Sequence, residues 1–334
     1  MSTAVKPLVL TDLPVAAAIT QLCAERVELV PWSAADEPRA DQIEAVYTYA
    51  HPTVSAALLD RLPRVRVISN CGVGVDHIDV AAAAARGIPT GNTPGILDGA
   101  TADLAFTLLL AAGRRVVEGD RYARGPDFLR YDPSFMIGRE VHGRTIGIVG
   151  LGRIGEQVAR RARGFDMTVL YCNRNRKPTA EASLGARYAS LDELLAAADY
   201  VVLTVPLTPE TRGLIGRAEL ARMKPTATLV NAARGAVVDL DALTAALTAG
   251  AIHAAALDVT DPEPLPRDHP MLGLPNVIIT PHLGSATTET RQRMAELSVE
   301  NLLAGLEGRP LLHVVEPKKE TPKKEDLTRS DKKI

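Results

Sequence analysis

The chain has 334 residues, 46% of them hydrophobic and 23% charged, a length and balance that suit two globular domains rather than one. Its 38 basic and 40 acidic side chains leave a formal charge of −2, so no global positive field exists to gather nucleic acid or an anionic membrane. The apolar stretches run to about half of the roughly 20 residues a bilayer crossing needs, and three scattered cysteines (Cys23, Cys71, Cys172) give neither a disulfide framework nor a metal site. The opening MSTAVKPLVLTDLP has no basic flank leading into a long apolar run. It does not read as a secretory signal, and the cytoplasm is the expected compartment.

Short apolar runs alternate with helical stretches, the pattern of an α/β chain with parallel sheets. Pro7–Thr11, Val27–Trp32, Ile43–Ala50 and Val65–Asn70 are the first strand candidates, with alanine- and leucine-rich segments between them to cover the sheet. Thr101–Gly125 follows as one long helix, capped by Thr101 and connecting two lobes. From Gly143 a second set begins: RTIGIVG, MTVLYC, YVVLTVP, ATLVNAA, AAALDV and NVIITPH. TTETRQRMAELSVENLLAGLEG then predicts a final helix folding back toward the first lobe. The last stretch, 316–334, is almost free of apolar residues and reads as a disordered, charged tail.

Gly150, Gly152 and Gly155 form a GxGxxG pattern. Alone it is a weak signal, since glycines mark turns. Here it follows the strand TIGIV, opens a helix that begins with Arg153 and Ile154, and precedes another strand about 20 residues on, as in a dinucleotide-binding βαβ unit. Glycines there make the turn, admit the pyrophosphate and let helix and strand approach, while helix amides hold the phosphate charge. The end of the second strand distinguishes the two nicotinamide cofactors. NAD-binding chains usually carry Asp or Glu there, whereas this one has Asn173, Arg174, Asn175, Arg176 and Lys177. A 2′-phosphate is repelled by an acid and bound by a guanidinium fork, so NADP(H) is expected, with NAD(H) as the lesser option. A plain solvated basic loop is the other reading of the run.

Three residues stand just beyond strand candidates: Arg234, Glu263 and His282. Ligands of open parallel sheets sit at the carboxyl ends of strands. An arginine there can grip a carboxylate and polarise its neighbouring carbonyl. A histidine can give that carbonyl oxygen a proton. A carboxylate beside the imidazole fixes the ring and favours its charged form. Each residue alone is more often a surface group, and spacing does not show that the three meet. His77, His142, His253, His269 and His313 read as structural or surface groups.

The motifs NCGVGVDHID, TADLAFTLLL, GRTIGIVGLGRIG, VPLTPETRGLIG, VNAARGAVVD, ALDVTDPEPLP and PHLGSAT, in this order, resemble the D-isomer-specific 2-hydroxyacid dehydrogenases over roughly residues 5 to 315. Within that family the chain is similar to the glyoxylate/hydroxypyruvate reductase group, 2-ketogluconate reductases included. The resemblance implies a Rossmann-type doubly wound cofactor domain (101–284) inserted into a smaller flavodoxin-like substrate domain (1–100 with 285–315), the two meeting at a cleft that closes on the substrate. It implies that Arg234 binds substrate, that His282 is the acid/base and that Glu263 pairs with it. Val73 and Gly74 would offer amides to the substrate carboxylate. Thr101, Pro206, Thr211, Ala232, Asp258, His282 and Ser285 would surround the cofactor, with Ser285 also near the substrate. Dimers paired through the cofactor domains are implied as well. Some relatives place tryptophans in the loop before the glycine motif; this chain has RYDPSFMIG, with Tyr131 and Phe135, and its one tryptophan is Trp32. His51 is the remaining candidate for the substrate's far end, a surface turn being the alternative. The implied reaction is NADPH-dependent reduction of a small 2-oxo acid (glyoxylate, hydroxypyruvate or 2-ketogluconate) to a D-2-hydroxy acid. An NAD-linked phosphoglycerate- or D-lactate-type dehydrogenase is the rival enzyme. A nucleotide-sensing corepressor of the same fold is the rival without turnover.

Overall fold

The computed structural model describes residues 5–12 and 14–317. They divide into two compact units: residues up to Leu97 joined with those from Thr287 onward, and Asp98–Ala286. The tail expectation for 316–334 lies outside the described residues except at Glu316 and Pro317.

The first unit runs β1 (Leu8–Thr11), α1 (Ala17–Cys23), β2 (Glu28–Pro31), β3 (Ile43–Thr48), α2 (Ala56–Asp60), β4 (Ile68–Asn70), α3 (Val80–Ala85) and β5 (Thr90–Gly91). Its strands pair in parallel in the order β2-β1-β3-β4-β5, the flavodoxin-like arrangement, with one antiparallel bridge between Gly91 and Val314. Val9, Leu10, Val46, Tyr47 and Ile68 are fully buried, as expected where both faces of a parallel sheet are covered. The predicted third strand is shorter than the apolar run, because the Asp12 carboxylate accepts the Tyr49 and Ala50 amides beyond its end.

The second unit departs first from expectation in its helices. Thr101–Gly125 is not one helix but two, α4 (Asp98–Gly113) and α5 (Val116–Ala123). Arg139 donates its amide to the Gly113 carbonyl at 2.6 Å, taking the acceptor that a continuing helix would need, and Arg115 turns left-handed at φ 55°. Thr101 caps nothing: the helix opens at Asp98, and Thr101 is buried in it. There follow β6 (Thr145–Val149), α6 (Arg153–Arg163), β7 (Thr168–Cys172), α7 (Pro178–Leu184), β8 (Arg187–Tyr188), α8 (Leu191–Ala197), β9 (Tyr200–Leu203), α9 (Arg217–Leu220), β10 (Thr228–Asn231), α10 (Leu240–Thr248), β11 (Ala254–Leu257) and β12 (Val277–Ile279). The sheet order is β12-β11-β10-β9-β6-β7-β8, parallel throughout. It is the Rossmann order extended by one strand, with its switch point between β6 and β9. Two strands, β5 and β8, were not predicted; each is a two-residue pairing with no apolar run to betray it.

The chain ends its described part in the first unit with α11 (Thr288–Leu306), whose Thr287 cap accepts the Thr290 amide at 3.2 Å. Its buried Met294, Ser298 and Leu302 fall at helical spacing, and Ser298 meets the Tyr47 hydroxyl at 2.8 Å. All three cysteines are free and buried, and burial pushes the Cys23 and Cys172 thiols up to about 11. No helix among the described residues is long and apolar enough to cross a membrane.

His253, just before β11, has a buried Nε2 without a hydrogen-bond partner among the described residues. Burial, reinforced by the Arg139 and Arg115 cations, holds its pKa below the ordinary value of 6.5. The unfolded chain therefore binds a proton that the folded one resists. Stability present above that pH is lost as the pH falls through it toward the folded-state value. As the pH is lowered from 6.5, the wild-type Tm should drop more steeply than that of His253→Gln. Equal slopes would refute the assignment.

Candidate active site

In-register pairing of Val149 with Cys172 and Leu203, of Asn231 with Leu203 and Leu257, and of Leu257 with Ile279 brings the carboxyl ends of β6, β7, β9, β10, β11 and β12 to one edge. The residues that follow those strands are therefore the ones the second unit presents together. They include nearly every site residue predicted for that unit, with Thr101 on α4 and Arg153, Ile154 and Gly155 opening α6.

Gly150 turns at φ +100°, a conformation that favours glycine. A Cβ on Gly155 would lie 2.4 Å from the Gly150 carbonyl, whereas one on Gly152 would meet nothing within 4 Å. The protein itself thus leaves the space over Gly152 open. α6 begins there without a side-chain cap, which leaves its first amides without intrahelical acceptors. An open cradle at the amino end of an 11-residue helix fits a dinucleotide pyrophosphate. Asn173, predicted as a cofactor contact, spends its amide on the loop: Leu151 donates to its Oδ1 at 2.6 Å and its Nδ2 donates back at 3.3 Å. Arg153 is tied to Asp98 by a 2.8 Å ion pair.

The basic run beyond β7 is less free than its sequence implies. Arg176 donates from Nε and an Nη to Glu181 at 3.0 and 2.6 Å, and lies 5.6 Å over the Tyr188 ring. Glu181 also accepts from the Tyr171 hydroxyl at 2.5 Å, and that hydroxyl accepts the Lys177 amide at 2.7 Å. Arg176 first, then Tyr171, hold the Glu181 carboxyl below its usual range. No carboxylate stands in the run directly after β7, but α7 brings Glu181 back to it in space. Sequence reading missed Glu181, since only the pairing reveals it. Arg174 makes no ion pair among the described residues.

Beyond β11 and β12, His282 Nδ1 lies 2.8 Å from Glu263 Oε1, both side chains partly exposed. His282 adopts a left-handed φ of 56°, rare for a side-chain-bearing residue. It is held there by its own amide, donated to the Asp258 carbonyl at 2.9 Å, and by the Asp258 carboxylate. That carboxylate accepts the Thr280 hydroxyl at 2.7 Å, the Leu283 amide at 2.7 Å and the Gly284 amide at 2.8 Å. Thr101 and Ser285 are buried, and a Cβ on Gly284 would fall 3.3 Å from Thr101. Thr211 accepts the Thr208 amide at 2.8 Å and donates to the Pro206 carbonyl at 2.7 Å, which shapes the turn after β9.

Arg234 follows β10, where Asn231 Nδ2 donates to its carbonyl at 2.9 Å and Ala232 donates its amide to Leu203 at 3.3 Å. The next residue, Gly235, packs so tightly that a Cβ would lie 2.0 Å from the Thr260 carbonyl carbon. That contact seats the arginine's segment on the turn leading to Glu263. In the first unit, Val73 and Gly74 follow β4, and His51, at φ 63°, has its ring 4.9 Å from that of His77. Gly235→Ala should force the 260–261 backbone away, costing about 2 kcal/mol or more. A Tm within a degree of wild type would show the contact to be yielding.

The model of the "D-isomer specific 2-hydroxyacid dehydrogenase, NAD binding domain" matches residues 106–284. A glyoxylate reductase from Korarchaeum cryptofilum is 49% identical over 267 residues, 80% of each chain, and one from Pyrococcus furiosus is 47% identical over 270, again 80% of each. Among solved structures, an NADPH-dependent glyoxylate/hydroxypyruvate reductase from Sinorhizobium meliloti, in complex with NADP and malonate, superposes with a TM-score of 0.85 at 32% identity, covering 93% of this chain and 97% of that one. With a matched nucleotide-binding half and near-half identity over four-fifths of its length, the chain belongs to the D-isomer specific 2-hydroxyacid dehydrogenase family.

Proposed function

We propose that this chain reduces small 2-oxo acids, glyoxylate and hydroxypyruvate foremost and 2-ketogluconate as a larger candidate, to D-2-hydroxy acids with NADPH. The observation that carries the reading is the 2.8 Å Glu263–His282 pair at the carboxyl edge of a dinucleotide-type sheet. The names of the relatives from Korarchaeum, Pyrococcus and Sinorhizobium support the substrate class.

A bound nicotinamide supplies or takes up the hydride. The work of the chain is to hold and protonate. Gly150, Gly152 and Gly155, with Arg153 and Ile154 opening α6, cradle the pyrophosphate. Thr101, Pro206, Thr211, Ala232, Asp258 and Ser285 line the rest of the dinucleotide, and Arg174 and Arg176 meet the 2′-phosphate. Asn173 acts through the glycine loop it braces. Arg234 grips the substrate carboxylate and polarises the adjoining carbonyl. Glu263 takes His282 Nδ1, which fixes the ring and assigns proton delivery to Nε2. To the first unit the reading assigns the Val73 and Gly74 amides, as further donors to the substrate carboxylate.

The Arg176–Glu181 pair favours a second option at the cofactor, because a guanidinium already neutralised discriminates less sharply for a phosphate. Use of NADH beside NADPH is consistent with it. Val116, Phe128, Leu129, Tyr131, Phe135 and Ile137 expose an apolar face within one segment of the second unit. That face suits a second copy of the chain, giving a homodimer paired through the cofactor unit, in a cytoplasmic setting.

Turnover of a 2-oxo acid panel with each dinucleotide tests the reading. Glyoxylate or hydroxypyruvate should lead with NADPH; a clear preference for NADH would remove the role given to Arg174 and Arg176. His282→Asn should lower kcat roughly 10²–10⁴-fold, and an unchanged kcat would dismiss the acid/base assignment. Light scattering should give twice the chain mass, and Leu129→Asp with Ile137→Asp should halve it.

A further inference from the structure

The loop after β4, residues 72–74, is held by its carbonyls. Gly72 O accepts from Asn70 Nδ2 at 3.0 Å and from the Thr93 amide at 3.0 Å. Val73 O accepts from Asn92 Nδ2 at 2.9 Å, and Gly74 O from Asn70 Nδ2 at 2.9 Å. In a trans peptide the carbonyl of one residue and the N–H of the next point in opposite directions. Pinning Gly72 O therefore aims the Val73 amide, and pinning Val73 O aims the Gly74 amide. Neither amide finds an acceptor among the described residues.

Both asparagines are themselves fixed. Asn70 is 1% exposed and its Oδ1 accepts the Thr48 hydroxyl at 2.8 Å. The reversed amide would set that oxygen against two carbonyl oxygens, so its orientation is determined. Asn92 is held through its backbone by Asn301 of α11, which is fully buried and donates to the Asn92 carbonyl at 3.1 Å. Asn301 Oδ1 in turn accepts the Leu312 and His313 amides at 2.9 and 3.3 Å. The polar chain thus runs from the end of the described residues to the loop with each buried amide satisfied, a condition under which such networks make structure rigid.

We infer that Asn70 and Asn92 are positioning residues for the substrate carboxylate: by holding the carbonyls of Gly72 and Val73 they present the Val73 and Gly74 amides as a preformed pair of donors. This rests on the proposed reading of the chain as a 2-oxo acid reductase. An anion-binding pair set in advance loses little order on binding, so its benefit falls on substrate affinity rather than on the dinucleotide. Asn92 is the sharper probe, since Gly72 O keeps the Thr93 amide when Asn70 is altered, whereas no other donor to Val73 O is found among the described residues.

The test compares wild type, Asn92→Ala and Asn92→Asp, with NADPH and either glyoxylate or hydroxypyruvate, whichever wild type reduces faster. Asn92→Ala should raise KM for the oxo acid about tenfold and weaken oxamate inhibition in parallel. The change in kcat should stay within about threefold. NADPH binding, read by fluorescence, and Tm should stay near wild type. Asn92→Asp, of equal size but placing an acceptor against an acceptor, should raise KM at least as far. An unchanged KM and oxamate affinity, in an active wild-type background, overturns the inference alone. So does a fall in Tm and dinucleotide binding that accompanies every rise in KM, because that is the mark of a structural residue. A wild type that reduces no 2-oxo acid removes the functional reading and this inference with it.

Discussion

Everything the second unit offers to chemistry depends on the register of its sheet. Side chains from six segments, scattered between Gly150 and Ser285, can act as a set only if their strands end level. Parallel pairing of Val149, Cys172, Leu203, Asn231, Leu257 and Ile279 makes them do so. A slip of one residue in β11 would reverse which face each side chain meets and move Asp258 out of line with Thr280. Buried apolar runs such as Ala255–Leu257 and Val201–Leu203 resist that slip, since both faces of the sheet are covered. Core packing and site geometry are here one constraint seen from two ends.

Two carboxylates at that edge divide the work around the imidazole. Glu263 meets the ring and Asp258 meets the backbone that carries it. Asp258 is 3% exposed and accepts from three donors, with no cation paired to it among the described residues, an arrangement that keeps a buried carboxylate tolerable. Arg234 sits on a turn locked by Gly235, and Arg153 is engaged by Asp98.

Much of this was legible in the order of residues, and the exceptions share a cause. The strands with continuous apolar text (β1 to β4, β6, β7, β9 to β12) were all foreseen, because burial on two faces writes itself into composition. The two-residue β5 and β8 carry no such text. The break between α4 and α5 was hidden because it is made by Arg139, a residue 26 positions beyond Gly113 whose amide captures the helix's acceptor. The same holds at the site. Glycine motifs flag the phosphate loop and strand ends flag the residues just beyond them, so the glycine loop and the trio stood out. Glu181, Asn92 and Asn301 act through partners that only the folded chain supplies, and single-residue chemistry gives an asparagine in a loop no distinctive signature. Asn173 shows a second role that its place in the sequence does not reveal: its side-chain amide braces the glycine loop at Leu151.

The conformation of His282 shows why local preference was a poor guide at the reacting end. Glycine is the residue that the left-handed region favours, and Gly284 stands only two residues away. A histidine placed there costs backbone energy of order 1 kcal/mol or more, a cost that persists only where surrounding bonds over-determine the geometry. Those bonds are present: the His282 amide is fixed by the Asp258 and Thr280 carbonyls, and the residues on either side are fixed by the Asp258 carboxylate. The strain therefore falls on the one residue whose side chain the proposed chemistry cannot replace. The cost is borne by a buried aspartate that need not touch the substrate at all. A turn built for stability alone would have put glycine at 282 and left no imidazole for Glu263 to orient.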